Sequence, residues 1–244
     1  MDADHPAHGV KIARRITILR ARQARDEAQM LLQDKLDAVK AECLAKTPPN
    51  VTQVRQRAVE GLAGLAERAM HAGEQAPAFQ LRDGYGGAFS SREALRRGPI
   101  VLVFYRGRWC PYCNIDLCAI EAASHDIRSL GASLVVVSQQ TPDNSLEMQR
   151  CNGLSFANLV DAGGKVAHAL GLRLKVSDEL RALEEGCGMD LAAFNGDPSW
   201  TLTMPARYVV APGGIIEYAD ISVDYTRRGD PSELIPVLAH LAAH

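Results

Sequence analysis

The sequence predicts an α/β fold, a three-layer sandwich with a central mixed sheet, preceded by an N-terminal α-helical extension. Residues 100–105 (IVLVFY) and 134–137 (LVVV) are short apolar runs without polar alternation, which is typical of strands buried on both faces. A helical pattern separates the two runs, so they are expected to form a βαβ unit with parallel strands. The turn-rich tetrapeptide at residues 211–214 (APGG) lies between two further apolar segments and predicts a hairpin that adds an antiparallel edge.

The chain divides near residue 71. Residues 1–71 carry a net charge of +3 and contain almost no glycine or aromatic residue, whereas residues 72–244 carry −5 and contain every strand-like segment. We therefore predict two parts: a helical extension over residues 1–71, with the form of an α-hairpin, and an α/β domain over residues 72–244. The extension is expected to pack on the domain or on a partner subunit.

Helices and strands are assigned from the spacing of apolar residues and from capping signals. A proline pair at residues 48–49 breaks the extension, and Asn50 with Gln53 forms a possible capping box for the second helix. In the domain, helices are predicted at residues 111–130, 144–151, 165–170 and 231–240, and a short strand at 157–160. The apolar positions that define the extension helices are Ile12, Ile16, Leu19, Leu32, Leu36, Val39, Cys43, Val54, Ala58, Leu62, Leu65 and Ala69.

Composition excludes several classes of protein. The 244 residues are 47% hydrophobic and 23% charged, which is ordinary for a globular protein. The longest apolar run is residues 100–105 (IVLVFY), far shorter than the ~20 residues of a membrane span. The first ten residues do not resemble an export signal. The net charge of −2 disfavours nucleic acid as a partner. We therefore expect a cytoplasmic protein without a membrane or nucleic-acid partner.

The cysteines carry the strongest chemical signal. Six occur, and in the absence of an export signal they are expected to be mostly reduced thiols. Cys110 and Cys113 stand in the tetrad CPYC, where the strand at 100–105 gives way to a helix. A helix N-terminus stabilises a thiolate over a thiol, and Arg106 and Arg108 add nearby positive charge. The pattern predicts a reactive cysteine.

The tetrad has two other interpretations. A structural zinc site needs a second pair of ligands, and Cys151 and Cys187 stand alone; the seven histidines show neither metal-ligand nor catalytic-triad spacing. An inert buried cysteine is the other alternative. We expect no metal or organic cofactor.

The order of several segments resembles the peroxiredoxins of the alkyl hydroperoxide reductase and thiol-specific antioxidant superfamily. The matching segments are APAFQL at residues 76–81, VLVFY at 101–105, the cysteine-containing strand exit, and FANLVD at 156–161. The resemblance covers roughly residues 72–242. It implies a thioredoxin-like fold and reduction of hydroperoxides by a cysteine, with thioredoxin or a similar dithiol as reductant and a homo-oligomer as a possible state.

The same resemblance assigns roles to individual residues. It aligns Pro111 with the proline of the family's Thr-Pro-x-Cys motif, and Cys113 with the peroxidatic cysteine. Cys110 occupies the threonine position, where a thiol is a weaker hydrogen-bonding group. Cys118 matches the resolving cysteine of the bacterioferritin-comigratory branch, although a disulfide across five helical residues requires local unwinding. A packed, unreactive Cys118 is the alternative.

A second resemblance is to the glutaredoxins, which share the tetrad CPYC and favour Cys110 as the nucleophile. In thioredoxin-fold reductases a cis-proline faces the dithiol, and Met204-Pro205 resembles that proline. Arg207 is the nearest candidate for the second active-site arginine of the peroxiredoxins, with a surface ion pair as the alternative. Glu121 is interpreted as a solvated charge.

The sequence therefore predicts a thiol-dependent peroxidase that acts on hydrogen peroxide or organic hydroperoxides. Cys113 is the favoured peroxidatic residue, Cys110 or Cys118 the resolving one, and Arg207 a candidate for charge stabilisation. Two alternatives remain open: a thiol–disulfide oxidoreductase that uses Cys110, and a non-enzymatic redox-sensing module whose extension binds a partner.

Overall fold

The computed structural model describes residues 31–243. The extension positions Ile12, Ile16 and Leu19 therefore lie outside the described residues. The helices are α1 (Leu32–Lys46), α2 (Pro49–Glu60), α3 (Ser91–Leu95), α4 (Pro111–Ser129), α5 (Pro142–Cys151), α6 (Lys165–Ala169), α7 (Asp178–Gly186), α8 (Leu191–Asn195) and α9 (Leu234–Ala242). The strands are β1 (Gln80–Asp83), β2 (Ala88–Ser90), β3 (Ile100–Phe104), β4 (Ser133–Ser138), β5 (Ala157–Val160), β6 (Arg173–Lys175), β7 (Thr201–Thr203), β8 (Ala206–Val210) and β9 (Ile216–Ile221).

Seven strands form one mixed sheet in the order β2-β1-β5-β4-β3-β8-β9. The central strands β3, β4 and β5 are parallel, as their continuous apolar runs predict. β8 pairs antiparallel with both β3 and β9, which confirms the predicted hairpin. β6 and β7 form a separate two-stranded sheet; both are three residues long, too short for a detectable pattern in the sequence.

Helices cover both faces of the sheet. On one face, side chains of α4, α5 and α9 form a buried cluster with Val101, Val103 and Val209. On the other face, α3 and α6 cover the alternate residues of the same strands, including Leu102, Phe104 and Tyr208. The α/β sandwich with a central mixed sheet is thereby confirmed.

The extension packs on the domain. Leu32 and Leu36 of α1 are buried in the same cluster as α4 and α9, so the first described helix shares the core of the α/β domain. The boundary at residue 71 remains a prediction about sequence organisation rather than a break in packing.

The second helix of the extension differs from expectation in two ways. Its N-cap is Pro48, which makes no side-chain capping bond, and Asn50 lies inside the helix, so the predicted Asn50–Gln53 capping box is wrong. The reason is that Pro49 already suits the first helical turn. The helix also ends at Glu60, and Leu65 and Ala69 follow in turns and a short 3-10 helix.

Two further features concern the backbone. All peptide bonds within residues 31–243 are trans, including Met204–Pro205, so the resemblance of this segment to the proline of the thioredoxin-fold reductases does not extend to a cis bond. No helix of the described chain is both long and apolar enough to cross a bilayer.

Candidate active site

Cys110 lies at the junction of a buried strand and a helix. β3 ends at Phe104, and the following loop brings Cys110 to the N-cap position of α4, with Pro111 as the first helical residue. The carbonyl oxygen of Cys110 accepts hydrogen bonds from the backbone N–H groups of Cys113 and Asn114, at 3.1 and 3.2 Å. This capping geometry places both sulfur atoms in the first turn, at the positive end of the helix dipole.

A buried hydrogen-bond network fixes the loop that precedes Cys110. The Tyr105 hydroxyl donates to Asn158 Oδ1 at 2.9 Å and accepts from Gln140 Nε2 at 3.0 Å. Gln140 Oε1 in turn accepts from the backbone N–H of Arg108 at 2.7 Å. Because Tyr105 and Gln140 follow the ends of β3 and β4 and Asn158 lies within the adjacent β5, the network ties the strand exit to two neighbouring strands.

The two thiols of the tetrad form a coupled pair. Cys110 is 1% exposed and Cys113 is fully buried. Burial opposes ionisation of Cys110, but a hydrogen bond from Cys113 and the charges of Arg106 and Arg228 outweigh it and lower the pKa of Cys110 to about 6. Burial, followed by the interaction with Cys110, raises the pKa of Cys113 above its ordinary value. The pair therefore carries one negative charge near neutral pH, preferentially on Cys110.

A buried ionic cluster stands behind the thiols. Asp116 lies one turn after Cys113 and pairs with Arg207 and with Arg228, whose Nε is 3.3 Å from Asp116 Oδ2. Arg228 also places Nη2 at 3.8 Å from Cys113 Sγ. Two guanidinium groups and one carboxylate leave a net charge of +1, which a thiolate balances.

Arg207, the candidate for the second active-site arginine, is buried among charged groups, and its role in the site stays a prediction. Its guanidinium contacts Asp116 and the carbonyl oxygen of Gly229. It is not a surface arginine, since it is 1% exposed, and its charge is paired with Asp116, which also pairs with Arg228.

Sequence reasoning missed Asp116 and Arg228. Asp116 follows Cys113 by three residues on the apolar face of α4 that also contains Leu117 and Ile120. A carboxylate on such a face signals a buried ion pair, and this signal was available. Arg228 lies in a loop between β9 and α9, where no periodic pattern marks it.

Cys118 faces away from this cluster. It lies on the same unbroken helix as Cys113, is exposed, and its Sγ is 3.3 Å from Asn152 Oδ1. Burial and the charge of Glu121 raise its pKa. Its role as a resolving cysteine stays a prediction. Glu121 is also not a simple solvated charge, because it accepts a hydrogen bond from the backbone N–H of Ser155 at 2.8 Å.

A cavity of about 590 Å³ opens above Cys110. One side consists of residues from α1, α2 and the turn between them, which we call the roof: Lys40, Cys43, Leu44, Thr47, Thr52, Arg55, Gln56, Val59 and Glu60. The other side consists of residues of the domain: Arg106, Trp109, Pro111, Tyr112, Glu184, Met189 and residues 224–226. Cys113 does not line it, so an incoming molecule meets Cys110 first.

Arg106 is the charged group of the cavity that lacks an acidic partner. Its guanidinium stacks on Tyr225 and on Trp109, with its central carbon 4.1 and 4.8 Å from the ring centroids. Within residues 31–243 it makes no ion pair, whereas Lys40 and Arg55 pair with Asp224 and Glu184. Arg106 is thus an unpaired cation beside Cys110 in this part of the chain, while on the α2 side the cavity also contains the carboxylate of Glu60, which accepts a hydrogen bond from Gln56 Nε2 at 3.0 Å.

In the part of the chain that the structure describes, no group of three or more histidine, cysteine or acidic side chains could hold a metal ion. The site offers two buried thiols, nearby positive charge that favours a thiolate, and a cavity beside Cys110.

The chain is similar in sequence to a thiol–disulfide oxidoreductase and in structure to peroxiredoxins. A thiol–disulfide oxidoreductase, ResA of Halalkalibacterium halodurans, is 32% identical over 113 residues, which are 45% of this chain and 62% of that protein. The chain thus matches under two thirds of the length of this relative.

Solved structures share the fold. Peroxidoxin BcpB of Mycobacterium tuberculosis superposes with a TM-score of 0.55 at 18% identity, over 71% of this chain and 97% of that one. A reduced 2-Cys peroxiredoxin of Plasmodium vivax gives 0.55 at 13% identity, over 72% and 83%. The fold is therefore thioredoxin-like, as in peroxiredoxins. Residues 72–219 match the AhpC/TSA family, and because this match spans more than half of the 244 residues, the chain belongs to the AhpC/TSA family.

Proposed function

We propose that this protein is a thiol-dependent peroxidase that reduces hydrogen peroxide or organic hydroperoxides, with Cys110 as the attacking thiolate and Cys113 as the resolving thiol. The observation that carries the proposal is the buried Cys110–Cys113 pair, with a pKa of about 6 at Cys110, on the floor of a cavity. A thiolate is the form of cysteine that attacks peroxides.

The reaction proceeds in two balanced steps. The Cys110 thiolate attacks the terminal oxygen of the hydroperoxide, so that an S–O bond forms, the O–O bond breaks, and the departing alkoxide or hydroxide takes up a proton. Cys110 becomes a sulfenic acid. Cys113 then attacks the Cys110 sulfur; the S–S bond forms, the S–O bond breaks, and the hydroxyl group leaves as water with the thiol proton. An external thiol donor restores the dithiol by exchange.

This assignment of the nucleophile departs from the alignment with the peroxiredoxin motif, which favours Cys113. The contact between Arg228 Nη2 and Cys113 Sγ, at 3.8 Å, supports Cys113. We assign the attack to Cys110 because Cys110 rather than Cys113 lines the cavity; burial and the interaction with Cys110, which raise the pKa of Cys113, support the same assignment.

The test treats Cys110→Ser and Cys113→Ser proteins separately with one equivalent of peroxide and locates trapped sulfenic acid by mass spectrometry. We expect rapid trapping at Cys110 in the Cys113→Ser protein and little oxidation in the converse variant. Trapping at Cys113 at the wild-type rate in the Cys110→Ser protein would reverse the assignment. If both variants still consumed peroxide at the wild-type rate, a peroxidase function that depends on these two thiols would be excluded.

A second candidate is a thiol–disulfide oxidoreductase, favoured by the Cys-x-x-Cys arrangement and by the 32% identity to ResA. Reduction of a protein disulfide requires the partner's sulfur to reach Cys110, which is 1% exposed beneath the roof. Reduction of insulin disulfides at a rate that exceeds peroxide turnover would favour this candidate.

A further inference from the structure

Access to Cys110 restricts the reductant that can regenerate the site. In a Cys110–Cys113 disulfide, the attacking sulfur must approach Cys110 from the cavity, because Cys113 is fully buried. The roof stands on that side, and the volume of the open cavity, about 590 Å³, falls in the range of small-molecule sites, roughly 300–1,000 Å³. A small thiol fits this space, whereas a protein that presents its own cysteine meets the roof.

The roof is attached to the domain on both sides of the cavity. Lys40 Nζ lies 3.4 Å from Asp224 Oδ2 and donates to Thr226 Oγ1 at 3.0 Å. Arg55 makes two hydrogen bonds with Glu184, at 2.8 and 3.0 Å. With α1 also anchored in the core, the cavity is a built feature of the folded chain.

The charge of the site changes with its redox state. In the reduced protein the Cys110 thiolate compensates the nearby positive groups; oxidation to the disulfide removes this negative charge. Arg106 then faces the cavity without a thiolate and, within the described residues, without an acidic partner. A guanidinium in this setting is a binding group for a carboxylate.

We propose that the cavity binds a small thiol that carries a carboxylate, held by Arg106, and that this thiol, rather than a protein dithiol, reduces the oxidised site. The inference rests on the proposed function and names its reductant class. It predicts that the anionic thiol binds the oxidised form in preference to the reduced form, because the returning thiolate repels it once reduction is complete.

The exchange is balanced. The thiolate of the first small thiol attacks Cys110 Sγ; a mixed disulfide forms, the Cys110–Cys113 bond breaks, and Cys113 takes up a proton. A second small thiol then attacks the sulfur of the bound one. Its disulfide leaves, and Cys110 returns as a thiolate. Two thiols are oxidised for each site that is reduced.

The first experiment compares three thiols of similar size and different charge: 3-mercaptopropionate, 2-mercaptoethanol and cysteamine. The full-length protein is oxidised with diamide, the Cys110–Cys113 disulfide is verified by mass spectrometry, and the reduction rate is expressed per thiolate. We expect the anionic thiol to exceed the cationic one by about tenfold, the effect of one charge-assisted contact, and the ratio to shrink as salt is added.

In Arg106→Gln, the ratio of the rate with the anionic thiol to the rate with the cationic thiol is expected to fall close to one, because the variant removes the charge that distinguishes the two thiols. A general effect of the variant on the disulfide changes both rates alike and cancels in the ratio. Arg181→Gln is the control: it removes the same charge from an arginine outside the cavity that pairs with Glu185, and it should keep the wild-type ratio. Equal rates for all three thiols in the wild-type protein would overturn the proposal. So would faster reduction by thioredoxin than by glutathione at equal concentration.

A second experiment fills the cavity. Thr52→Trp places an indole in the roof, and we expect it to slow reduction by glutathione about tenfold; Gln53→Trp, on the exposed side of the same helix, should leave the rate unchanged. An unchanged rate in Thr52→Trp would contradict the proposal. Because diamide forms the disulfide, both experiments give an answer even if the protein does not react with peroxide, and failure of the two proposals can be told apart.

Discussion

At the scale of single residues, the site depends on how charge is distributed among buried groups. Asp116, Arg207 and Arg228 are all buried, and together they leave one positive charge that a thiolate neutralises. Burial alone would raise the pKa of both thiols. The hydrogen bond between the thiols and the neighbouring cations lower the pKa of Cys110. The reactivity of Cys110 is thus a property of the cluster rather than of the tetrad CPYC by itself.

The pKa of Cys110 can be measured by its alkylation rate. Only the thiolate reacts with iodoacetamide, so the rate at Cys110 is expected to rise with pH around a midpoint of about 6, well below the ordinary value of 9.0. Peptide mass spectrometry assigns the labelled site, and the exposed Cys151 serves as an internal reference. A midpoint above 8 would contradict the proposed charge distribution.

The same shift connects stability to pH. A group whose pKa is lower in the folded state stabilises the fold above its unfolded pKa, and this contribution is lost as pH falls through the folded pKa. Relative to Cys110→Ser, the reduced protein should therefore gain free energy of unfolding between pH 6 and pH 9. Urea denaturation at several pH values gives this difference; a decrease over the interval would be inconsistent with a lowered pKa.

Asp116→Asn tests the buried cluster. The substitution leaves Arg207 and Arg228 without their shared counter-ion, and unpaired buried charges cost about 3–5 kcal/mol. We expect the free energy of unfolding to fall by that amount, as measured by urea denaturation. Asp126→Asn is the matched control, since Asp126 is exposed on the same helix, and it should change stability little. A comparable loss in both variants would mean that the cluster is not responsible.

At the scale of secondary structure, elements with a clear apolar pattern were predictable, including the short β5 and α6, whereas several other short elements were not. The apolar runs of β3 and β4 and the periodic face of α4 marked the strand–helix junction that carries the cysteines. β6, β7 and α8 contain only three to five residues each, and tertiary contacts rather than local preferences fix them. Arg228 shows the same limit at the site: it reaches Cys113 from a loop 115 residues away, a separation over which one sequence carries no pairing signal.

The attachment of α2 controls access to Cys110. This helix has no fully buried residue and is joined to α7 by the ion pairs Arg55–Glu184 and Arg57–Glu179. The Arg57–Glu179 pair is exposed and the Arg55–Glu184 pair is partly buried; because surface ion pairs contribute only about 0.2–1 kcal/mol each, α2 is held less tightly than α1. The roof is therefore firm on the side of α1 and weaker on the side of α2.

A double variant, Arg55→Gln with Arg57→Gln, should loosen this side of the roof. We expect Cys110 to react several-fold faster with a bulky maleimide, while its reaction with iodoacetamide stays close to that of the wild type. High salt should produce part of the same effect. Arg181→Gln breaks an ion pair within α7 and should leave the ratio of the two rates unchanged. An unaltered ratio in the double variant would show that these pairs do not hold the roof.

At the scale of the whole molecule, the extension and the domain share one hydrophobic core. Composition and charge separate residues 1–71 from the remainder, yet Leu32 and Leu36 are buried against α4 and α9. A division read from composition therefore does not imply independent folding. The family match begins at residue 72, so part of the core and one side of the Cys110 cavity come from residues outside the matched region.

Leu36→Ala tests whether the two parts fold as one unit. Leu36 is fully buried, and truncation of a buried leucine costs about 2–5 kcal/mol. Because the core is continuous, the loss should lower the midpoint of a single unfolding transition for the whole chain, seen alike by circular dichroism and by tryptophan fluorescence, whose probes Trp109 and Trp200 lie in the domain. Leu44→Ala is the control on the same helix, since Leu44 is 49% exposed and should cost little. If instead Leu36→Ala produced an early transition visible by circular dichroism while the fluorescence transition stayed at the wild-type midpoint, the extension would unfold separately and the shared core would not be cooperative.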